Sequence, residues 1–470
     1  MPRAIITACF LLLVVVVAAC SVPAEVVSPP ALAVTPAQPT PSLAATTILP
    51  TPANTPTTTP PAAQPTPFYT GARSAPCGVV LPALPSDAID PVLPALDAVD
   101  AAALRGQVPA AAWPALQRLL DAPGTVGLVA YQLGRETEGV YWNADTPLPL
   151  ISVAKIITLV AYVEAAAAGA LQPLEQVPLA ELDRYYLPNF DLGAHRRAVN
   201  ELRADGRVLS PDSNPSVLLE DVPWMMIRHS SNAAADYLHA RLGQARIEAT
   251  AQTLGLADPI GNHSAPCSFL GQFLVMANHV RGLANDRAAL SAYLEDAAGA
   301  AAYGADAALL ADAYAADATF RAAEEAWRER NRRPSIHTQR TFAARFAPRG
   351  TARAYATLMA RLAQNGLSNP DSSFRARVYL EWPNQFEANQ QLFSNVGYKN
   401  GSLPGVLTTV YYAYRWDDPA PVVVALFYRD LPQDTYRRWR NDLPHDELAR
   451  WLLADPAAIP ALAAALGAGR

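Results

Sequence analysis

SVAKIITLVAYVEAAAA, residues 152–168, decides how this chain is read. It holds no Gly or Pro, and its Ile, Leu, Val and Ala positions run round the whole circumference of a helix. The spacing predicts a helix from Ser152 to about Ala168, buried on most sides. Such a helix needs other elements wrapped around it, and the flanking sequence supplies them. TVGLVAYQL (125–133) reads as a strand, GRETEG (134–139) as a turn and VYW (140–142) as a returning strand, together a hairpin. Ahead of it, Leu116, Leu119 and Leu120 recur at helical spacing after Pro114. Far downstream, residues 405–415 and 421–428 are β-branched and aromatic runs that read as strands, followed by a helix from His445 to Leu453. The middle is helical, with an Ala-heavy stretch at 286–330 and a helix from Arg349 to a stop at Gly366. Strands at both ends with helices between predict one α+β unit, its antiparallel sheet built from both chain ends around a mostly helical middle.

Composition sets the address. The chain has 470 residues, 51% of them apolar, so it can bury a sizeable core. Thirty-six basic against 42 acidic residues and no basic block speak against a nucleic-acid partner. Arg3 followed by an apolar run from Phe10 to Val17 reads as an export signal, too short to span a membrane. The run ends in Ala18, Ala19 and Cys20, which resembles a bacterial lipoprotein signal with Cys20 as the lipidated residue. An ordinary signal peptide cut near Ala19 is the alternative. Residues 21–70 are rich in Pro and Thr and carry one charge, Glu25, so they read as an extended tether. The expected organisation is therefore signal at 1–19, anchor and tether at 20–70, an N-terminal extension at 71–119 and the main domain at 120–470. Extra helical chain is expected near 170–222 and 283–340. With Cys9 and Cys20 in the leader, Cys77 and Cys267 remain, and outside the cytoplasm a disulfide between them is expected, two separate thiols being the alternative. The seven His are scattered without metal-ligand spacing, and no metal or cofactor is expected.

Three short motifs carry the chemistry. Ser152 and Lys155 lie three residues apart at a helix start, on one face, so the amine can sit beside the hydroxyl. Ser230-Ser231-Asn232 precedes a helix over 233–242, where the bland explanation is an N-cap. Lys399-Asn400-Gly401-Ser402 opens a strand, where the glycine permits close backbone approach. Each is weak alone. Lysine usage joins them: of 36 basic residues only Lys155 and Lys399 are lysines, and both fall inside motifs. Arginine keeps its proton in proteins, so lysine alone can act as a base.

In this order the motifs resemble the serine β-lactamase and penicillin-binding protein superfamily, most closely class A β-lactamases. Residues 226–238, Lys399 to Gly405 and an Ala347-Pro348-Arg349 helix opening agree with it. The resemblance implies a β-lactamase/transpeptidase fold and an acyl-enzyme mechanism on a β-lactam or wall-peptide substrate; with the leader, Cys20 and tether read above, the expected protein is a membrane-anchored, extracytoplasmic monomer. It implies four catalytic residues: Ser152 as nucleophile, Lys155 as its base or proton relay, Ser230 as proton shuttle, and Lys399 as a positive field for the substrate carboxylate that keeps neighbouring pKa values low. It also implies Asn232 orienting the substrate and Lys155, and an oxyanion hole from the Ser152 and Ser402 amides. Asn400, Gly401 and the Ser402 hydroxyl would meet the substrate. Three departures stand out. Ser231 replaces the usual aspartate, Asn400 replaces the usual threonine, and the loop expected to supply a deacylating glutamate (256–269) has none. Asp258 and His263 are the substitutes it offers, with Glu295 and Glu324 further on. Three functions remain: a β-lactam hydrolase, a D,D-peptidase or transpeptidase that β-lactams inhibit, and a non-enzymatic binder of wall peptide or antibiotic.

Overall fold

The computed structural model describes residues 74–75, 78–79 and 98–466, apart from 211, 258–264, 278–287, 289–291, 294–296 and 332–333. Cys20, Cys77, Asp258, His263 and Glu295 lie outside them. The central sheet has five antiparallel strands: β1 (Val126–Gln132), β2 (Val140–Trp142), β3 (Phe393–Leu403), β4 (Val406–Arg415) and β5 (Val422–Tyr428). Their order is β2-β1-β5-β4-β3, so both chain ends meet in one sheet and β3 forms an edge. Register pairs Val424 with Ala130, and Val410 with Lys399.

Period-2 alternation sorts side chains to two faces. Val423, Ala425 and Phe427 of β5 enter one core, and Val422, Val424, Leu426 and Tyr428 enter the other. Because both faces are covered, β5 reads as a continuous apolar run rather than an alternating one. Against the second face pack α1 (Trp113–Asp121) and a C-terminal helix, Pro444–Ala454. Leu104, Val108, Leu116 and Leu119 belong to this core, so it takes in residues expected to form an N-terminal extension. Against the first face packs the helix Ala352–Ala363, Tyr355 meeting Phe427, and in the same core, surrounded by other helices, lies α2 (Lys155–Ala167), whose Lys155–Val163 segment is entirely buried. Further along are α3 (Ala194–Ala204), α4 (Asp221–Arg228) and α5 (Asn232–Leu242), then α6 (Phe269–Ala277), α7 (Ala297–Ala316), α8 (Ala352–Ala363) and α9 (Gln433–Asp442).

The structure departs from the sequence reading at four places. Helix α2 begins at Lys155, and Ser152 sits in a 3₁₀ turn over Ile151–Ala154. The turn is tight because Leu150 is tied on both sides: its N–H donates to Pro348 O at 2.8 Å and its carbonyl accepts from Thr408 Oγ1 at 2.9 Å. Lys399 does not open a strand but stands well inside β3, which begins at Phe393. Arg349–Gly350 is not a helix opening; it pairs as a short strand with Leu148–Pro149, and α8 starts after Thr351, whose hydroxyl caps Ala354 N. Helix α9, rich in Arg and Asp, has too few apolar positions to announce itself.

Helix α6 reaches α7 only because Gly271 has no side chain: a Cβ there would stand 2.1 Å from Ala307 O. Gly271→Ala should therefore separate the two helices and cost about 1–3 kcal/mol. Chemical denaturation checks this, and an unchanged midpoint would contradict the packing.

Candidate active site

The three motifs converge on one cavity of about 760 Å³. Ser152, Ser230, Asn232, Asn400, Gly401 and Ser402 all line it, and the two lysines reach in from behind. Ser152 is half-buried on its 3₁₀ turn, directly after Ile151, which adopts a left-handed φ of 51°. Lys155, one turn on, is fully buried.

Lys155 Nζ donates to Ser230 O at 2.7 Å and to Asn232 Oδ1 at 2.6 Å, with Ser230 Oγ at 3.4 Å. Two short bonds use two N–H groups, and the third position faces the more distant Ser230 Oγ, where it can carry either a proton or a lone pair. Burial pushes the Lys155 pKa down to about 7, resisted by the Asp236 and Asp191 carboxylates, so both forms are populated near neutrality. Lys399 Nζ donates to Ser230 Oγ at 3.1 Å and to Asn400 O at 2.7 Å. Its pKa is lowered well below the usual amine value, first by burial and then by Lys155. Ser230 is thus flanked by both amines, and its φ of 61° turns carbonyl and hydroxyl together toward them. A left-handed non-glycine residue costs about 1–3 kcal/mol and persists only where its surroundings fix it. Here Ser231 does so, as N-cap of α5, with its hydroxyl accepting from Ala234 N at 3.2 Å and its N–H bonded to Met225 O.

Strand β3 presents its free edge to Ser152. A two-residue turn, Pro404 and Gly405, closes Leu403 against Val406. Antiparallel alternation then points the Ser402 N–H away from β4, over the edge. Gly401 brings the strand in: a Cβ there would lie 2.5 Å from Leu150 O and 2.8 Å from Ser152 N. The Ser152 and Ser402 amides therefore flank one small space, the arrangement that an oxyanion hole needs.

Other residues at the site had no local signal in the sequence. Asp236, one and a half turns along α5, accepts from the amides of Phe269 and Leu270, both at 2.7 Å, and so caps α6. Burial lifts its pKa to about 7, countered by those two amides, Ser268 and Lys155. The cap sets the Phe269 ring, at the end of the loop whose sequence offers no glutamate, 4.6 Å from Lys155 Nζ in a cation–π contact. Glu324 is fully buried on the helix Ala318–Asn331 and does not line the cavity. Gln272 and Phe273, from α6, do line it, as do Asn189, Asp191 and Arg197 from the extra chain. Cys267 is buried just ahead of α6.

The extra chain also answers the Ser231 departure. His195, on α3, lies 3.1 Å from Ser231 Oγ through Nδ1 and 3.1 Å from Asp183 Oδ1 through Nε2. The carboxylate fixes the tautomer: Nε2–H donates to Asp183, and Nδ1 accepts from the Ser231 hydroxyl. Asp183 and His195 thereby brace the serine motif from behind.

Fold and site define an α+β protein with a buried serine–lysine centre at a sheet edge. A family profile described as the β-lactamase enzyme family matches residues 111–444, and the chain belongs to that family. Among solved structures it is similar to a β-lactamase from Sphaerobacter thermophilus: 16% identity over 73% of this chain and 98% of that one, TM-score 0.42. It is also similar to a β-lactamase from Burkholderia vietnamiensis (13%, 74% and 98%, 0.43) and to PBP-A (15%, 68% and 89%, 0.37). No curated protein matches the chain.

Removing the His195 acceptor should strand the buried Ser231 hydroxyl. His195→Leu should lose about 1–3 kcal/mol of stability. His195→Asn, whose carbonyl can replace Nδ1, should lose clearly less. Urea denaturation of both variants tests this, and equal losses would contradict the bracing.

Proposed function

We propose that this protein is an active-site-serine acyl enzyme that opens the amide of a β-lactam and then holds the acyl group. Ser152 Oγ attacks the carbonyl carbon as its proton passes to Lys155 Nζ, and the oxyanion rests on the Ser152 and Ser402 amides. As the C–N bond breaks, the nitrogen takes a proton through Ser230, leaving an ester on Ser152. Asn232 orients the substrate and Lys155. A substrate carboxylate brought toward Asn400 and Ser402 would draw Lys399 back to its charged form, since an opposite charge favours the ammonium.

The observation that carries the slow half of this reading is the Phe269 ring against Lys155. Releasing the ester requires a water and a base to take its proton, help typically worth about 10²–10⁴-fold in rate, or about 3–5 kcal/mol of barrier. An aromatic ring supplies neither. The same observation favours a second reading, a D,D-peptidase or transpeptidase, for which a peptide amine is the natural acceptor and β-lactams are inhibitors. A lipid on Cys20 with the tether behind it would suit either, holding the domain off a membrane in the wall zone.

Treating the full chain with benzylpenicillin and mapping tryptic peptides should place a persistent adduct on the peptide containing Ser152. Nitrocefin kinetics should show a burst of about one equivalent and then a slow phase. Phe269→Glu, which sets a carboxylate against Lys155, should speed the slow phase about 100-fold, and Phe269→Ala should not. Linear turnover without a burst in the unaltered chain would contradict the slow-release reading, and an adduct surviving Ser152→Ala would contradict the nucleophile.

A further inference from the structure

Gln433, Tyr436, Arg437 and Arg440 all line the cavity. They stand at i, i+3, i+4 and i+7 of α9, so one whole face of that helix is turned toward the cavity. Across from it, α3 and α4 contribute Arg197 and Arg228. The chain as a whole carries a net charge of −6, yet among the described residues this cavity is lined by four guanidinium groups and one carboxylate, Asp191. That carboxylate is already committed, accepting from the amides of Gly193, Ala194 and His195 to cap α3.

The four arginines are not equivalent. Arg228 is neutralised by Glu201 at 2.5 Å and rests on the rings of Trp224 and Trp382. Arg197 donates to Leu192 O. Arg437 has Asp434 at 3.8 Å, with both side chains largely exposed, a pairing that salt screens easily. Arg440 lies against the Tyr436 ring. Among the described residues, no carboxylate comes within 4.0 Å of Arg197 or Arg440.

We propose that the α9 face, through Arg437 and Arg440, binds a second carboxylate of the acyl donor, so the preferred substrates of this site are dianions. This rests on the acyl-enzyme reading above. One substrate carboxylate is met at the inner end, by Lys399 and Ser402. The guanidinium forks on α9 lie on a different element and suit another planar acid, which they can hold through two parallel N–H···O bonds. A cavity of about 760 Å³ is large enough for a donor carrying both groups.

The test compares acylation of Ser152 in the full chain by benzylpenicillin, with one carboxylate, and by carbenicillin, which adds a second on its acyl side chain. Second-order rate constants come from the intact mass over time. Carbenicillin should react about 3–10-fold faster, and that ratio should shrink toward one in about 1 M salt. It should also collapse in Arg437→Gln/Arg440→Gln, and survive in part in Arg437→Lys/Arg440→Lys, which keeps the charge and loses the fork. A ratio near one in the unaltered chain, or a ratio unmoved by the Gln pair, would overturn the proposal while leaving the acyl-enzyme reading intact. No adduct with either drug would remove that reading, and this proposal with it.

Discussion

Two buried amines reach for the same hydroxyl. Lys155 and Lys399 both approach Ser230 Oγ, inside a protein interior that disfavours either as an ammonium. Holding them there places demands on elements far apart in the chain. Helix α2 has to be apolar all round to bury Lys155 at its start. Ser230 has to accept a left-handed backbone, and Ser231 has to cap α5 to keep it so. Gly401 has to be a glycine for β3 to bring Lys399 close to the Ser152 turn. The result is a lysine one turn from Ser152 whose pKa burial draws down to about 7, in a chain that outside this pair uses arginine for its positive charge.

What covers the centre bears on the proposed release of the acyl group. Asp236 spends its carboxylate on the amides of Phe269 and Leu270. The side chain delivered over Lys155 is therefore a ring, and Asp236, a buried acid whose charge acts on that lysine, is locked into a helix cap. The extra chain at 170–222 contributes a brace, Asp183 and His195, and a cavity wall, Asn189 to Arg197. Part of what looks like insertion is thus built into the site.

The sheet was legible because its strands are local patterns. Alternation and β-branched runs located β1, β2, β4 and β5 to within a residue or two, and the fold class followed from their positions at both chain ends. The motif residues were legible because spacing and the two lysines mark them. What escaped has a common cause: the information is tertiary. The 3₁₀ turn at Ser152 is set by Pro348 and Thr408, 198 and 258 residues beyond Leu150. Phe269 reads as one more apolar residue until Asp236 fixes where its helix begins. His195 reads as a scattered histidine until α3 stacks it behind Ser231. Helix α9 is polar on most sides: only Tyr436 and Trp439 enter the second core, while Gln433, Arg437 and Arg440 line the cavity.

The central claim is that Lys155, held near its neutral form by burial, takes the proton from Ser152. The direct measurement is the rate of Ser152 acylation by a β-lactam as a function of pH, in the unaltered chain and in Lys155→Arg. A pKa of about 7 means that the neutral amine is lost as pH falls through that value. The rate should rise about tenfold per pH unit below about pH 7 and level off above it, and Lys155→Arg should abolish acylation at every pH. A rate that stays flat from about pH 5 to about pH 9, or a Lys155→Arg variant that still acylates readily, would contradict the account.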